Sequence, residues 1–441
     1  MGVVTAVSAH LLLHLIISCS LFLPVMSLPT LTTPSPSSIC VASPNLLIHW
    51  SEEGGPRSAF WRSERGALPP KRVVLADDTL SADTAYRLVC EGTGLLWRGD
   101  FQNARQMVQA LARRVDKPPK ASKQAKVERK KAAHADALGV PAGQAFHLHR
   151  QAQSQRARVL GMVLIEFGAD YGIALRRAPD AKQACIEAWG VAADTAGASV
   201  ASLRELLGVV SAHEWRKKGV EIPALGKAPN NRIHPHYGVF SPVRGEYVDL
   251  VATAPLPARP ASKFVAFDIG TGTGVLAAVL ALRDIDQIVA TDQDSRALAC
   301  AKDNLQRLHL PNPVKVMRAD LFPEGLASVI VCNPPWLPAR PSSALEGAVY
   351  DEGSRMLLGF IKGLAAHLAP GGEGWLILSD FAEHLGLRTR VELLEAIKAG
   401  GLKVLGRIDV KPQHPKALES TDPLHAARAA EVTSLWRLGT L

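Results

Sequence analysis

Between Phe264 and Ala278 the chain reads FVAFDIGTGTGVLAA, and this stretch constrains the fold more than any other. A short apolar run (Phe264 to Phe267) meets an acid, Asp268. Three glycines follow at alternate positions, Gly270, Gly272 and Gly274, and then an Ala/Val/Leu segment too long for a strand. The order is strand, tight turn, helix. Glycine lets the backbone turn sharply and lets a ligand lie against the amide groups, so the turn is expected to hold a small molecule. Eighteen residues beyond Gly274 a second apolar run ends in Asp292. An acid at the tip of a second strand can accept hydrogen bonds from ribose hydroxyls. The simpler alternative makes Asp292 the N-cap of the following helix, a job Asp294 could do instead. A third run, Val314 to Arg318, leads to Asp320, and a fourth, Val329 to Cys332, ends in Asn333-Pro334-Pro335-Trp336. In an open parallel sheet such tips line one edge, where ligands bind.

Nicotinamide and flavin enzymes share the strand–glycine–helix start, but their G-x-G-x-x-G pattern would need glycine where Val275 stands. The alternate-glycine loop followed by Asn-Pro-Pro-aromatic resembles the class I S-adenosylmethionine-dependent N-methyltransferases. Within them it is most similar to the HemK-type protein-glutamine and "methyltransferase small domain" group. The resemblance runs from about Arg232 to Leu441, and its two motifs stand in the family's order. It implies a seven-stranded Rossmann-like α/β sheet over residues 230–441 with S-adenosyl-L-methionine as cofactor. It also implies that Gly270, Thr271, Gly272, Thr273 and Gly274 lie under the methionine part with Asp268 close by, and that Asp292 holds the ribose. Asp320 and Leu321 would flank the adenine, and Asn333 would join the cofactor and acceptor pockets. For Asp320 a turn before Phe322-Pro323 is the competing role.

The tetrapeptide suits a particular nitrogen. An amide or an aromatic exocyclic amine has its lone pair delocalised. If the Asn333 side-chain oxygen and the Pro334 carbonyl accept its two hydrogens, the lone pair can turn toward a methyl donor. Pro335 carries no N–H and stiffens that corner, and Trp336 offers a flat face for stacking. Asn333, Pro334, Pro335 and Trp336 are therefore the candidate catalytic residues. An ordinary Pro-rich turn after a buried strand is the alternative, disfavoured by the glycine loop before it. The resemblance points to a glutamine amide of a translation factor or ribosomal protein. An exocyclic amine of an RNA base fits the motif as well, and a non-catalytic RNA- or ribosome-binding protein keeping the fold is the third possibility.

The chain's 441 residues carry a net charge of +9, which favours an acidic partner such as RNA or a ribosomal surface. Lys117, Lys120, Lys123, Lys126 and Arg129 recur every third residue, with Lys130 and Lys131 added and only Glu128 opposing them. Residues 117–133 are thus read as a solvated linker or as a phosphate-contacting arm. Residues 1–40 form an apolar leader and a Ser/Pro-rich linker. No Lys or Arg precedes Arg57, so the leader lacks the positive region of a secretory signal, and Met26 is a candidate start. No stable membrane insertion is expected, and a cytoplasmic home is the expectation, an organellar or secretory address being the alternative. Six scattered cysteines show neither zinc spacing nor a disulfide framework. His147/His149 and His234/His236 lack a third ligand nearby, so no metal is expected. Residues 41–116 read as a small α/β unit and 134–225 as a helical block, with Gln144–Phe167, Pro179–Trp189 and Val200–Val220 as its helices. Before the sheet, Arg232 to Pro242 reads as an extended element, with Phe240 and Pro242 as candidate lid residues or else a plain linker.

Overall fold

The structure, a computed structural model, describes residues 46–116, 142–191, 197–243, 245–341, 345–412 and 422–441. The apolar leader and the basic run Lys117–Lys131 lie outside the described residues. The chain divides into two compact units: Met1–His134 with Arg150–Ser211, and Ala135–His149 with Ala212–Leu441.

In the first unit β1 (Leu47–Glu52), β2 (Gly55–Trp61), β3 (Arg72–Ala76), β4 (Thr93–Trp97), β5 (Val163–Phe167) and β6 (Ser199–Ser202) form one mixed sheet in the order β1-β2-β6-β5-β4-β3. Helices α1 (Ala82–Cys90), α2 (Phe101–Val115) and α4 (Lys182–Trp189) belong to this unit, as do α3 (Ala142–Leu160) from Arg150 on and α5 (Leu203–Lys218) up to Ser211. Asp100 caps α2, accepting from the Gln102 N–H at 2.9 Å. The helical block over 134–225 is corrected: β5 and β6 lie inside it and complete the sheet begun by β1–β4. Val-Leu-Ile-Glu-Phe is an apolar run of five directly after α3, too short for periodicity to separate strand from helix. Gly161, with its N–H bonded to the Ala157 carbonyl, marks the end of the helix.

The second unit opens with a two-stranded hairpin, β7 (Val220–Glu221) and β8 (Arg232–Ile233), and α6 (Glu246–Thr253). Then come β9 (Val265–Ile269), α7 (Val275–Ala281), β10 (Gln287–Asp292), α8 (Ser295–Arg307), β11 (Val314–Arg318) and β12 (Ala327–Cys332). The remainder is α9 (Arg355–His367), β13 (Leu368–Ser379), α10 (Phe381–His384), α11 (Arg390–Ala399), β14 (Leu402–Val410), α12 (His425–Ala430) and β15 (Thr433–Thr440). The seven strands run β11-β10-β9-β12-β13-β15-β14; the first five are parallel and β15 is antiparallel to both neighbours. The chain leaves β9 toward β10 and β11 and returns to its other side as β12. This reversal opens a crevice at the carboxyl ends of β9 and β12.

Side-chain alternation along the strands divides the core. Ala266, Val329, Val331, Trp375 and Ile377 pack with α6 and α7 on one face, while Phe267, Ile269, Ile330, Cys332, Leu376 and Leu378 meet α9 and α11 on the other. Pro370-Gly371-Gly372 forms a bulge inside β13. Ala327 pairs with Leu368 but Val329 with Glu373, and Gly371 takes φ +73° to accommodate the shift.

Candidate active site

The glycine loop is fixed from below. Asp268 is buried at 1% exposure, and its Oδ2 accepts from the Thr271 hydroxyl at 2.6 Å and from the Ala277 N–H at 3.0 Å, joining the turn to α7. The N–H groups of Gly270 and Thr271 both donate to the Thr291 carbonyl at 2.9 Å, tying the loop to β10. The three glycines all have positive φ, +72°, +55° and +81°, yet each has its own reason to lack a side chain. A Cβ on Gly270 would collide with Met356 Cε, and one on Gly274 would stand 3.2 Å from Cα of Ala301 on α8. A Cβ on Gly272 would meet nothing within 4 Å. Gly274 thus serves internal packing against α8, Gly270 meets only the movable end of the Met356 side chain, and Gly272 presents the open face.

Asp292 Oδ2 accepts from the Gly272 N–H at 3.0 Å and Oδ1 from the Asp294 N–H at 3.0 Å. The helix cap falls to Asp294, whose carboxylate accepts from the Arg296 N–H at 2.8 Å, leaving Asp292 to hold the loop and face the crevice. Burial pushes the Asp268 carboxyl up to about 6, more than its two hydrogen bonds hold it down, and the charge of Asp292 adds to the rise. Burial raises Asp292 as well. Neither has a cationic partner among the described residues, so the carboxylate pair near the open glycine suits a positively charged ligand. A ligand that is both sulfonium and ammonium fits it. Were such a cation held in the field of the ionised carboxylates, affinity would rise with pH through the Asp268 transition. Calorimetry with S-adenosylmethionine should give binding about tenfold weaker at pH 5 than at pH 8, and Asp268→Asn should flatten that dependence. A wild-type affinity independent of pH would exclude Asp268 from the cation's field.

Asp320, exposed at the tip after β11, receives Arg355 Nη2 at 3.0 and 3.1 Å and also the Gln293 amide. Leu321 has φ +71°, and its carbonyl accepts from the Thr291 hydroxyl at 2.6 Å. Thr273 is buried beneath the loop, its carbonyl accepting from Asn304 Nδ2 at 3.0 Å. Arg232 to Pro242 runs along α8: the His234 N–H reaches Asn304 Oδ1 at 2.7 Å, His236 Nε2 lies 3.0 Å from Asp303, and Val239 packs on Ala297 and Cys300. Pro242 is buried and Phe240 half-buried. Among the described residues no group of three or more His, Cys, Asp or Glu gathers as a metal-ligand set. None of their helices is long and apolar enough to cross a membrane.

On the other side of the crevice, Cys332 pairs with Ile269, so Asn333 and Gly270 leave adjacent strands side by side. Asn333 is half-buried and Pro334 buried. The Trp336 indole N–H donates to Asn333 Oδ1 at 3.0 Å. Trp336 itself is half-buried against the core on both faces of the sheet, so its ring is wedged in place. Within this corner its visible task is to orient the carboxamide.

The described residues of the following loop are anchored. The Leu337 N–H donates to the Val349 carbonyl at 3.1 Å and the Asp351 N–H to the Leu337 carbonyl at 2.8 Å, while Leu337, Glu346 and Tyr350 are buried. Asp351 Oδ2 accepts from the N–H groups of Met356 at 2.8 Å and Leu357 at 3.3 Å, and so holds the start of α9 with Met356 against Gly270. Asp351 and Met356 escape sequence reasoning. A lone acid before a helix signals a cap, but nothing in the chain shows that this helix begins over the glycine loop.

Comparison with known proteins agrees with this geometry. Residues 230–400 match the family described as Methyltransferase small domain. A release factor glutamine methyltransferase of Caulobacter vibrioides is 31% identical over 185 residues, 40% of this chain and 55% of that protein. A tRNA1(Val) (adenine(37)-N6)-methyltransferase of Shewanella amazonensis is 30% identical over 174 residues, 36% of this chain and 73% of that protein. A ribosomal protein L11 methyltransferase of Vibrio vulnificus is 33% identical over 104 residues, 23% of this chain and 35% of that protein. The chain thus spans about half the length of the release factor relative. With a glycine loop on β9, an acid on β10 and Asn-Pro-Pro-Trp on β12 of a seven-stranded sheet, the chain belongs to the methyltransferase small-domain family of class I S-adenosylmethionine-dependent methyltransferases.

Proposed function

We propose that this protein transfers a methyl group from S-adenosylmethionine to a planar nitrogen held by Asn333 and Pro334. The observation that carries the reading is the Asn333–Trp336 corner beside the glycine loop, its carboxamide oriented before any acceptor arrives. The cofactor supplies an electrophilic methyl on a cationic sulfur, and the carboxylates of Asp268 and Asp292 match that charge. Gly272 gives it room, and Asp292 is the residue to take the ribose hydroxyls, with Asp320 and Leu321 at the adenine end. Asn333 Oδ1 spends one lone pair on Trp336 and keeps the other for an acceptor N–H. The Pro334 carbonyl takes the second hydrogen, undisturbed because Pro335 has no N–H. Positive charge developing on the nitrogen is met by oxygen dipoles already in place.

Two acceptors present such a nitrogen. A glutamine amide of a translation protein is supported by the release factor and L11 relatives. An exocyclic base amine of RNA is supported by the tRNA adenine relative, of which this chain covers the larger share, and by the net charge of +9. Incubating the protein with labelled S-adenosylmethionine and a cell extract, then separating RNA from protein, tests the reading. Label is expected in one fraction. Cofactor binding with label in neither would leave a non-catalytic RNA- or ribosome-binding protein as the better description.

A further inference from the structure

Leu321 holds a backbone conformation that a leucine rarely takes, φ +71°. Such strain persists only where the surroundings outweigh it, and it gathers at ligand sites. Part of the hold comes from α9. A Cβ on Gly359 would stand 2.8 Å from Leu321 Cδ1 and one on Gly363 2.6 Å from Phe322 Cε2, so both glycines make room for the side chains of the turn. The Phe322 ring also stacks on His367, with centres 4.4 Å apart. These contacts grip side chains, and they do not decide which way the Leu321 carbonyl points. A single polar contact does: the Thr291 hydroxyl donates to that carbonyl at 2.6 Å.

Thr291 stands on β10 directly before Asp292 and is fully buried, at 0% exposure. Its carbonyl accepts from the N–H groups of Gly270 and Thr271, each at 2.9 Å. One residue therefore holds the glycine loop through its backbone and the Leu321 turn through its side chain. The strand itself has no use for the hydroxyl: the pairing of β10 with β9 and β11 is made by main-chain groups, and the other buried members of β10 are Ile288, Val289 and Ala290. Valine, of nearly the same size, would serve such a strand as well. A buried hydroxyl at this position is explained by the hydrogen bond it makes.

We infer that Thr291 is a positioning residue for the cofactor: its hydroxyl sets the Leu321 turn to receive the adenine, at a fixed separation from the loop that receives the methionine part. The inference rests on the placement of the cofactor in the methyl-transfer reading and deepens it. Adenine carries an amine donor at C6 where hypoxanthine carries an oxygen acceptor. The turn brings the Asp320 carboxylate, an acceptor already paired with Arg355 and Gln293, so a correctly set turn favours adenine.

The experiment compares wild type with Thr291→Val and Thr291→Ser by calorimetry against S-adenosylhomocysteine and S-inosylhomocysteine, and by initial rates of methyl transfer to a desalted cell extract. Thr291→Val should bind S-adenosylhomocysteine about tenfold more weakly and S-inosylhomocysteine no more than about twofold more weakly, the loss of one orienting hydrogen bond felt by the matched base. Thr291→Ser, which keeps the hydroxyl, should restore the preference for adenine. In transfer, the KM for S-adenosylmethionine should rise about tenfold in Thr291→Val with kcat within about twofold of wild type, because Asn333 keeps its bond to Trp336 on β12. The ratio of the two affinities reports on folded protein alone, so partial unfolding of Thr291→Val does not disguise it. Equal losses for both ligands, unchanged affinities, or a serine variant that fails to restore the preference would overturn the inference and make the hydroxyl structural. Binding needs no transfer: a Thr291-dependent preference with label in neither RNA nor protein removes the transferase and leaves the positioning role. Transfer by Thr291→Val with the wild-type KM does the reverse.

Discussion

Replacing Asn333 by alanine is expected to lower methyl transfer by about 10²–10³-fold while leaving the affinity for S-adenosylmethionine almost untouched. The magnitude is that of deleting one preorganised group facing charge that develops in the transition state. Asn333 sits where β12 stops, beside Gly270, and its Oδ1 is already held by the Trp336 indole at 3.0 Å. The carboxamide cannot swing freely, so its remaining lone pair is aimed without reorganisation at the moment of reaction. The same bond yields a sharper expectation. Trp336→Phe keeps an aromatic face but removes the N–H, and should slow transfer by about tenfold with little change in acceptor KM, the loss of one orienting hydrogen bond of about 1.4 kcal/mol. Added to Asn333→Ala it should cost almost nothing more, because the group it orients is gone. Single-turnover rates of the four proteins measure this. Full additivity would mean that Trp336 acts on the acceptor itself, and an undiminished rate in Asn333→Ala would mean that another residue holds the nitrogen.

Much of the catalytic unit was legible because its strands carry punctuation. β9, β10, β11 and β12 end in a glycine loop, Asp292, a polar turn and Asn-Pro-Pro, and each apolar run fell within a residue or two of its strand. The first unit was not, since β5 and β6 have five and four residues and follow or precede helices without a proline or charge to separate them. Neither strand is meaningful locally; β5 covers an edge of β4, which is buried along its whole length, and β6 joins β5 to β2. At the site, sequence could nominate chemistry but not division of labour. Asp292 and Asp294 were interchangeable on paper, and only the hydrogen bonds assign one to the loop and the other to α8.

The glycines give a second large effect, in which neighbouring substitutions should fail for different reasons. At Gly274 a valine would adopt φ +81° with its Cβ 3.2 Å from Cα of Ala301, so it meets both left-handed strain and a helix that cannot retreat without leaving β10. Strain of about 1–2 kcal/mol and overpacking of about 1–3 kcal/mol should together lower the melting midpoint of this unit on the order of 10 °C. At Gly272 an alanine has φ +55° but nothing within 4 Å of its Cβ. It should therefore lose only the conformational strain, about 1–2 kcal/mol, and the protein should remain folded. Its methyl would nevertheless occupy the one open face of the loop, between the Asp292 carboxylate and the crevice. Binding of S-adenosylhomocysteine should weaken at least about tenfold, more than the same methyl costs in stability, because a ligand packed on the backbone cannot share that space. Calorimetry and thermal melting on the two variants separate the cases. Were Gly272→Ala to bind the product as wild type does, the cofactor would not rest on this loop, and the arrangement of donor and acceptor around Asn333 would have to be redrawn.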